Sequence, residues 1–237
     1  VALNPQSTEG GIRFDGALET TQFLLDGVPE AGNSVSWESS RIEIREGSTA
    51  TPLVLHLQPL LTRLRVQRPS QADLAIEQVN GTVTLTSPTV AEGQSPLLLS
   101  GTLATTQLTL SGIPEIASVL TWESAQIDIG NGSTLTPLAL EVTAQLAKVS
   151  LQRLSQGDVA IEKASAILRL AQEESPQQEQ FIRIQGPVDL TGFVLSHGPE
   201  KKILLGCYRA TAKIAEGSRL VPFDVRVPTV ALEYLYA

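Results

Sequence analysis

The chain has 237 residues, 42% of them apolar and only 4% aromatic, so any core or apolar face is built from Leu, Val and Ile. Its net charge of −8 and a single adjacent basic pair, Lys201-Lys202, exclude a general nucleic-acid backbone binder, which needs clustered cations. One cysteine, Cys207, excludes an internal disulfide framework and argues against a Cys-based metal site, while His56 and His197 stand alone.

Read from the start, the chain opens at Val1 without a methionine anywhere, which reads as a fragment or a processed piece. No run of about 18 apolar residues is long enough for a membrane-spanning helix. Residues 1–15 read as the end of a preceding unit followed by a short strand, Ile12–Phe14. From Gly16 onward the chain repeats itself. Gly16, Gly101 and Gly186 are evenly spaced at 85 residues, and so are Pro29, Pro114 and Pro199. Gly47-Ser48, Gly132-Ser133 and Gly217-Ser218 keep the same spacing. The spacing divides the chain into units at 16–100 and 101–185 and a partial third unit at 186–237. Trp37-Glu38-Ser39 in the first unit answers Trp122-Glu123-Ser124 in the second, and Cys207 takes the tryptophan position in the third.

Within a unit, apolar and polar residues alternate, the mark of half-buried strands. In the first unit the alternating aliphatics are Leu53, Leu55 and Leu57, then Leu60, Leu64 and Val66, then Leu74 and Ile76, then Val79, Val83 and Leu85. Thr82, Thr84 and Thr86 form the opposite, solvated set. The second unit carries Leu138, Leu140 and Val142, then Val149 and Leu151, then Val159 and Ile161, then Leu168 and Leu170. Turns are expected at Gly27-Val28-Pro29, Asn80-Gly81, Gly112-Ile113-Pro114 and Gly130-Asn131-Gly132. Polar loops are expected at Asn4–Gly11, Ser87–Ser95 and Ala171–Gln180, each leading into a short strand: Ile12–Phe14, Leu97–Leu99 and Ile182–Ile184. The best helical candidate, Pro59–Gln67, fits a strand equally well. Short turns imply antiparallel neighbours, so each unit should be a meander. The expected fold is all-β: tandem antiparallel β-meander repeats of 85 residues, stacked into one continuous twisted sheet or groove. The alternative is a row of tandem β-sandwiches, for which the same aliphatics would be ordinary cores.

Chemistry is sparse. The chain lacks a nucleophile elbow and a phosphate-binding loop, and its two histidines have no metal-ligand spacing. Carboxylates recur with the repeat, Glu38 as Glu123 and Glu77 as Glu162, whereas an active site is built once. The chain therefore reads as a non-enzyme with neither cofactor nor metal. Trp-Glu-Ser suits a sugar-stacking or interface residue, but an anchor repeated with the unit is the plainer reading. Asp128–Ser133 lacks the further acidic ligands of a calcium loop and reads as a turn.

The stretch Gly186–Leu235 resembles the AsmA/TamB-like proteins of the bacterial envelope, in particular an AsmA-related family. The resemblance rests on strands at Thr191–Leu195, Tyr208–Ser218, Val221–Val227 and Val230–Leu235, with an acidic-Gly-Ser turn and Pro-Leu and Leu-Glu flavours at fixed places. Asp73–Thr86 and Asp158–Leu170 resemble that family's strand-turn-strand closing segment. The resemblance implies a trough with an apolar inside, a place in the periplasm or envelope of a Gram-negative cell, an inner-membrane anchor outside these residues, and phospholipid movement between membranes. A cell-surface structural or adhesive role is the alternative. The expected ligand is a phospholipid or other acyl chain. Its contact candidates are Leu53, Leu55, Leu57, Leu64, Val66, Leu74, Ile76, Val83, Leu85, Leu138, Leu140, Val142, Val149, Leu151, Val159, Ile161, Leu168 and Leu170. Unpaired sheet ends would also allow end-to-end self-association.

Overall fold

In a computed structural model the described residues are 2–8, 11–28, 32–50, 52–67, 73–87, 96–113, 117–152, 157–174, 180–197, 200–221 and 224–236. They form strands and connections only. The strands are β1 (Ala2–Thr8), β2 (Gly11–Val28), β3 (Gly32–Ile44), β4 (Leu53–Gln67), β5 (Asp73–Ser87), β6 (Leu97–Ile113) and β7 (Ala117–Thr136). Then come β8 (Leu138–Gln152), β9 (Asp158–Glu174), β10 (Gln180–His197), β11 (Lys202–Ile214), β12 (Arg219–Val221) and β13 (Val230–Tyr236). All thirteen belong to one sheet, ordered β1 to β11 and then β13, with the short β12 paired to β10 below the end of β11. Every pairing is antiparallel. β1 and β13 do not meet, so the sheet is open. This is the continuous meander expected from the alternation. A sandwich would split each unit between two sheets, and the chain forms one.

The strands are longer than expected, reaching 20 residues in β7, where about five or six is usual. Several expected turns therefore lie inside strands. Asn80-Gly81 is in the middle of β5, and Ile12–Phe14, Leu97–Leu99 and Ile182–Ile184 are merely the starts of β2, β6 and β10. Pro59–Gln67 is strand β4, and Asn4–Thr8 is in β1 rather than a loop. The closing segments Asp73–Thr86 and Asp158–Leu170 are each one unbroken strand. Gly130-Asn131-Gly132 is an irregularity within β7, where the register with β8 jumps between Ile129 and Thr134. Tyr208–Ser218 covers the end of β11 and the turn after it, and strand structure stops at Val221 in Val221–Val227, of which 222–223 lie outside the described residues. Gly27-Val28 ends β2, Gly112-Ile113 ends β6 and Ala171–Glu174 belongs to β9 rather than to a loop, while residues 29–31, 88–95, 114–116 and 175–179 also lie outside the described residues.

That Asn80-Gly81 is strand rather than turn has a physical cause, which Gly101 and Gly186 share. At Gly81, Gly101 and Gly186 φ is +157°, +144° and +146°. A Cβ there would land on the carbonyl oxygen of Thr102, Thr82 or Ile167 in the adjacent strand. Glycine serves these strands by letting two backbones approach, not by turning the chain. The Gly-Ser pairs do mark turns or bulges. Gly47, Gly132 and Gly217 have φ of +92°, +98° and +86°. The buried hydroxyls of Ser48, Ser133 and Ser218 accept the backbone N–H of His56, Glu141 and Arg226 at 3.1, 3.0 and 3.0 Å. Each serine thus satisfies a donor that the irregular backbone leaves without a carbonyl.

One feature runs across the whole sheet. In β6 the order Thr105, Thr106, Gln107, Leu108 is buried, exposed, exposed, buried. Trp122, Glu123, Ser124, Ala125 in β7 and Ile161, Glu162, Lys163, Ala164 in β9 likewise place two exposed residues between covered ones. The alternation slips by one residue at the same height from β2 to β11, and because neighbours slip together the pairing resumes on both sides. Alternate strands make the slip with a left-handed residue: Gln22, Arg63, Gln107, Lys148, Gly192 and Tyr234, with φ of 51°, 50°, 47°, 51°, 67° and 56°. The result is a transverse crease, an aligned series of bulges.

Candidate functional site

The crease brings the alternating aliphatics above and below it onto one face. Above it a row runs through directly paired residues, Leu25, Val35, Val66, Leu74, Leu110, Leu120, Leu151, Val159, Leu195 and Leu205, one from each of ten consecutive strands. Below it a second row contains Leu61, Val79, Thr105, Ala125, Leu146, Ala164, Leu190 and Ala210. The tryptophans join the two panels. Trp37 Nε1 donates to Thr20 Oγ1 at 2.7 Å and Trp122 Nε1 to Thr105 Oγ1 at 3.3 Å, so rings above the crease and threonines below it share a face. Phe23 stacks on Trp37 at 3.9 Å between ring centroids. The tryptophans are thus half-buried in the apolar face.

All eighteen aliphatics singled out in β4, β5, β8 and β9 lie on this face. Sixteen of them form facing pairs: Leu55–Leu85, Leu57–Val83, Leu64–Ile76 and Val66–Leu74 between β4 and β5, and Leu140–Leu170, Val142–Leu168, Val149–Ile161 and Leu151–Val159 between β8 and β9. Leu53 and Leu138 extend the set, opposite Ser87 and Leu135. Ile76 and Val149 are buried and the others half-buried. A single sheet has no second layer to cover them. Leu60, expected in the same alternation, instead points to the polar face, since Pro59 and Leu61 hold the apolar phase there.

Sequence reasoning missed the bridging residues in β2, β3, β6, β7, β10 and β11, such as Leu110, Leu120, Phe193 and Leu195. The bridging residues make two patches continuous: Leu85 faces Leu99, Val66 and Leu74 lead to Leu110, and Ile161 faces Phe193. The signal was present as an apolar pair followed three residues later by another, such as Val188, Leu190, Phe193 and Leu195, a spacing that suggests two short strands until the crease is known.

The opposite face is polar and laced with ion pairs. Arg41 bridges Glu19 and Glu43 at 3.2 and 2.6 Å. Along the crease Arg63 lies between Glu38 at 2.9 Å and Glu77 at 3.4 Å, and Lys148 pairs with Glu123. Of the repeating carboxylates, Glu38, Glu77 and Glu123 therefore serve a charge ladder. Thr102 Oγ1 donates to Asp128 at 2.7 Å, the same Asp128 that heads the supposed calcium-like stretch. A depression of about 660 Å³ also opens beside the crease, with Lys163 and Asp189 the only titratable groups in its wall. No three metal-ligating residues cluster among the described residues. His56 Nδ1 lies 3.3 Å from Thr84 Oγ1. Cys207 is fully buried and pairs with Phe193, and burial pushes its thiol pKa up. No helix of the described residues is long and apolar enough to cross a membrane.

No family model matches the chain, and searches of curated proteins and of solved structures found no match.

Proposed function

We propose that this is a non-enzymatic β-repeat protein of the cell envelope whose apolar face takes up phospholipid acyl chains and binds them or passes them between membranes. The observation that carries this reading is the uninterrupted Leu/Val/Phe/Trp face crossing ten strands with no layer packed upon it. Such a face is costly to leave in water, and an apolar ligand lying along it removes the cost. Each buried CH₂ is worth about 0.8 kcal/mol, so acyl chains totalling roughly 30 carbons would lose on the order of 20 kcal/mol if extracted into water. An aliphatic surface lowers that barrier without a reaction or a specific polar pocket. Its continuity from strand to strand suits a ligand that slides. The resemblance to AsmA/TamB-like proteins supports the same role and an envelope location.

The test is binding of a fluorescent phospholipid to the purified chain and to the Leu55→Asp/Leu140→Asp variant. Saturable binding that is lost in a variant retaining its β-sheet circular dichroism supports the reading. Absence of binding to the folded parent chain rejects it in favour of a structural or adhesive role.

A further inference from the structure

Three hydroxyls interrupt the row of the apolar face just below the crease: Thr20, Ser40 and Thr105. Their neighbours in that row are Leu61, Val79 and Ala125. Ser40 and Thr105 are each only 7% exposed. A hydroxyl has one proton to donate as well as lone pairs to fill. In the second unit Thr105 Oγ1 accepts from Trp122 Nε1, and its own proton meets no acceptor among the described residues. In the first unit Trp37 Nε1 donates to Thr20 Oγ1, and Thr20 and Ser40 share a single hydrogen bond at 2.7 Å. Two hydroxyl protons compete for that one bond, so one proton is left over whichever oxygen donates. The indole N–H explains a threonine as its acceptor but leaves the spare proton unexplained. The third unit shows that the fold does not require this chemistry. Its corresponding residues are Leu190, Cys207 and Ala210, so indole and hydroxyls are lost together.

A donor buried without an acceptor is costly. While the face is open to solvent, water can serve the spare protons. An acyl chain lying along the face expels that water, and the acceptor must then arrive with the ligand. We infer that Thr105 and the Thr20–Ser40 pair are two stations that donate a hydrogen bond to the ester carbonyl at the head of an acyl chain, so that the face prefers ester-linked lipid to ether-linked lipid of the same length. The inference rests on the acyl-lipid reading of that face and names what the face recognises. In a glycerophospholipid the ester carbonyl is the acceptor nearest the hydrocarbon, just as these hydroxyls lie among Leu61, Val79 and Ala125. The three residues offer neither a cation for phosphate nor a carboxylate for an amine, so the stations read the acyl linkage and not the headgroup. A single sheet leaves the space over the face open, and the headgroup stands away from it while the chains run over the aliphatic rows. Ser40 and Thr105 are three strands apart, roughly 15 Å at the usual strand spacing, which makes them successive resting places for a ligand that slides.

Titration of the full chain with two phosphatidylcholines of equal chain length, one ester-linked and one ether-linked, tests it. The parent chain is expected to bind the ester lipid about three- to tenfold more tightly. Trp37→Phe/Trp122→Phe leaves all three hydroxyls in place and should keep that ratio, whatever it does to the affinity for both lipids. Adding Thr20→Val, Ser40→Ala and Thr105→Val gives the first two units the hydroxyl-free pattern of the third and should bring the ratio to about one. Equal binding of the two lipids by the parent chain overturns the inference alone, since the face still takes up lipid. A preference that survives removal of the hydroxyls overturns it too. Binding of neither lipid rejects the proposed function and the inference with it. If the hydroxyl-free variant does not fold, Trp122→Phe/Thr105→Val decides, because it empties one station only. About half of the bound lipid should then lose its preference relative to Trp122→Phe, and an unchanged preference overturns the inference.

Discussion

At the scale of single residues, the left-handed positions of the crease carry the most specific consequences. A non-glycine residue in that region costs roughly 1 kcal/mol or more. The third unit avoids the cost with Gly192, whereas the second keeps Gln107 at φ 47°. Gln107→Gly should therefore be stabilising by about 0.5 kcal/mol, since glycine's greater freedom in the unfolded chain offsets part of the gain. The reverse change, Gly192→Gln, brings a Cβ to 2.7 Å from the Cβ of Glu162 and should destabilise by about 2 kcal/mol. Urea unfolding of both variants measures the difference. Cys207 provides a second test. Its thiol pKa is raised by burial, so the folded state holds it neutral. The associated stability is complete below the ordinary thiol range near about 8.5 and is lost as pH rises through the higher folded value. A thiol reagent at pH 8 should label the native chain at least about tenfold more slowly than the urea-unfolded chain. Equal rates would mean that the side chain is open to solvent.

At the scale of elements, the period-two pattern was legible in the sequence and the strand boundaries were not. Leu138, Leu140 and Val142 followed by Val149 and Leu151 reveal β8 as half-buried strand. What they conceal is that the gap at Leu146–Ala147–Lys148 is a slip of phase within one strand rather than a break between two. Only the partner strand reveals this, because the slip is shared: β7 turns its alternation over at Glu123-Ser124 and β9 at Glu162-Lys163. Asn80-Gly81 misleads for a related reason. The backbone freedom that makes it a turn signal is used to admit the Thr102 carbonyl. The candidate face was half legible: the aliphatics of β4, β5, β8 and β9 were found, and the strands joining them were hidden by the crease. Since both neighbours of β6 carry the slip, deleting Gln107 should leave Leu108 and Leu110 on the apolar side by plain alternation but one residue out of register with β5 and β7. The deletion variant should lose cooperative thermal unfolding, whereas Gln107→Gly keeps it.

At the scale of the whole molecule, each strand contacts only its neighbours in an open sheet, and no unit closes upon itself. Stability is then shared along the array. Residues 101–185 alone, most of β6, the whole of β7 to β9 and the start of β10, with two bare edges and one uncovered apolar face, should show no cooperative unfolding transition by circular dichroism. A sharp transition at high temperature would mean that one unit holds its own core. The same openness makes the lipid reading economical. The face that no second layer covers is the one that runs without interruption from Leu25 in β2 to Leu205 in β11.

Native mass spectrometry of the chain, purified without harsh detergent and followed by lipid extraction, tests that reading most directly. Phospholipid that co-purifies with the parent chain and is absent from folded Leu55→Asp/Leu140→Asp protein is the predicted result. A folded parent chain that arrives free of lipid, and stays free when phospholipid is added, would contradict it.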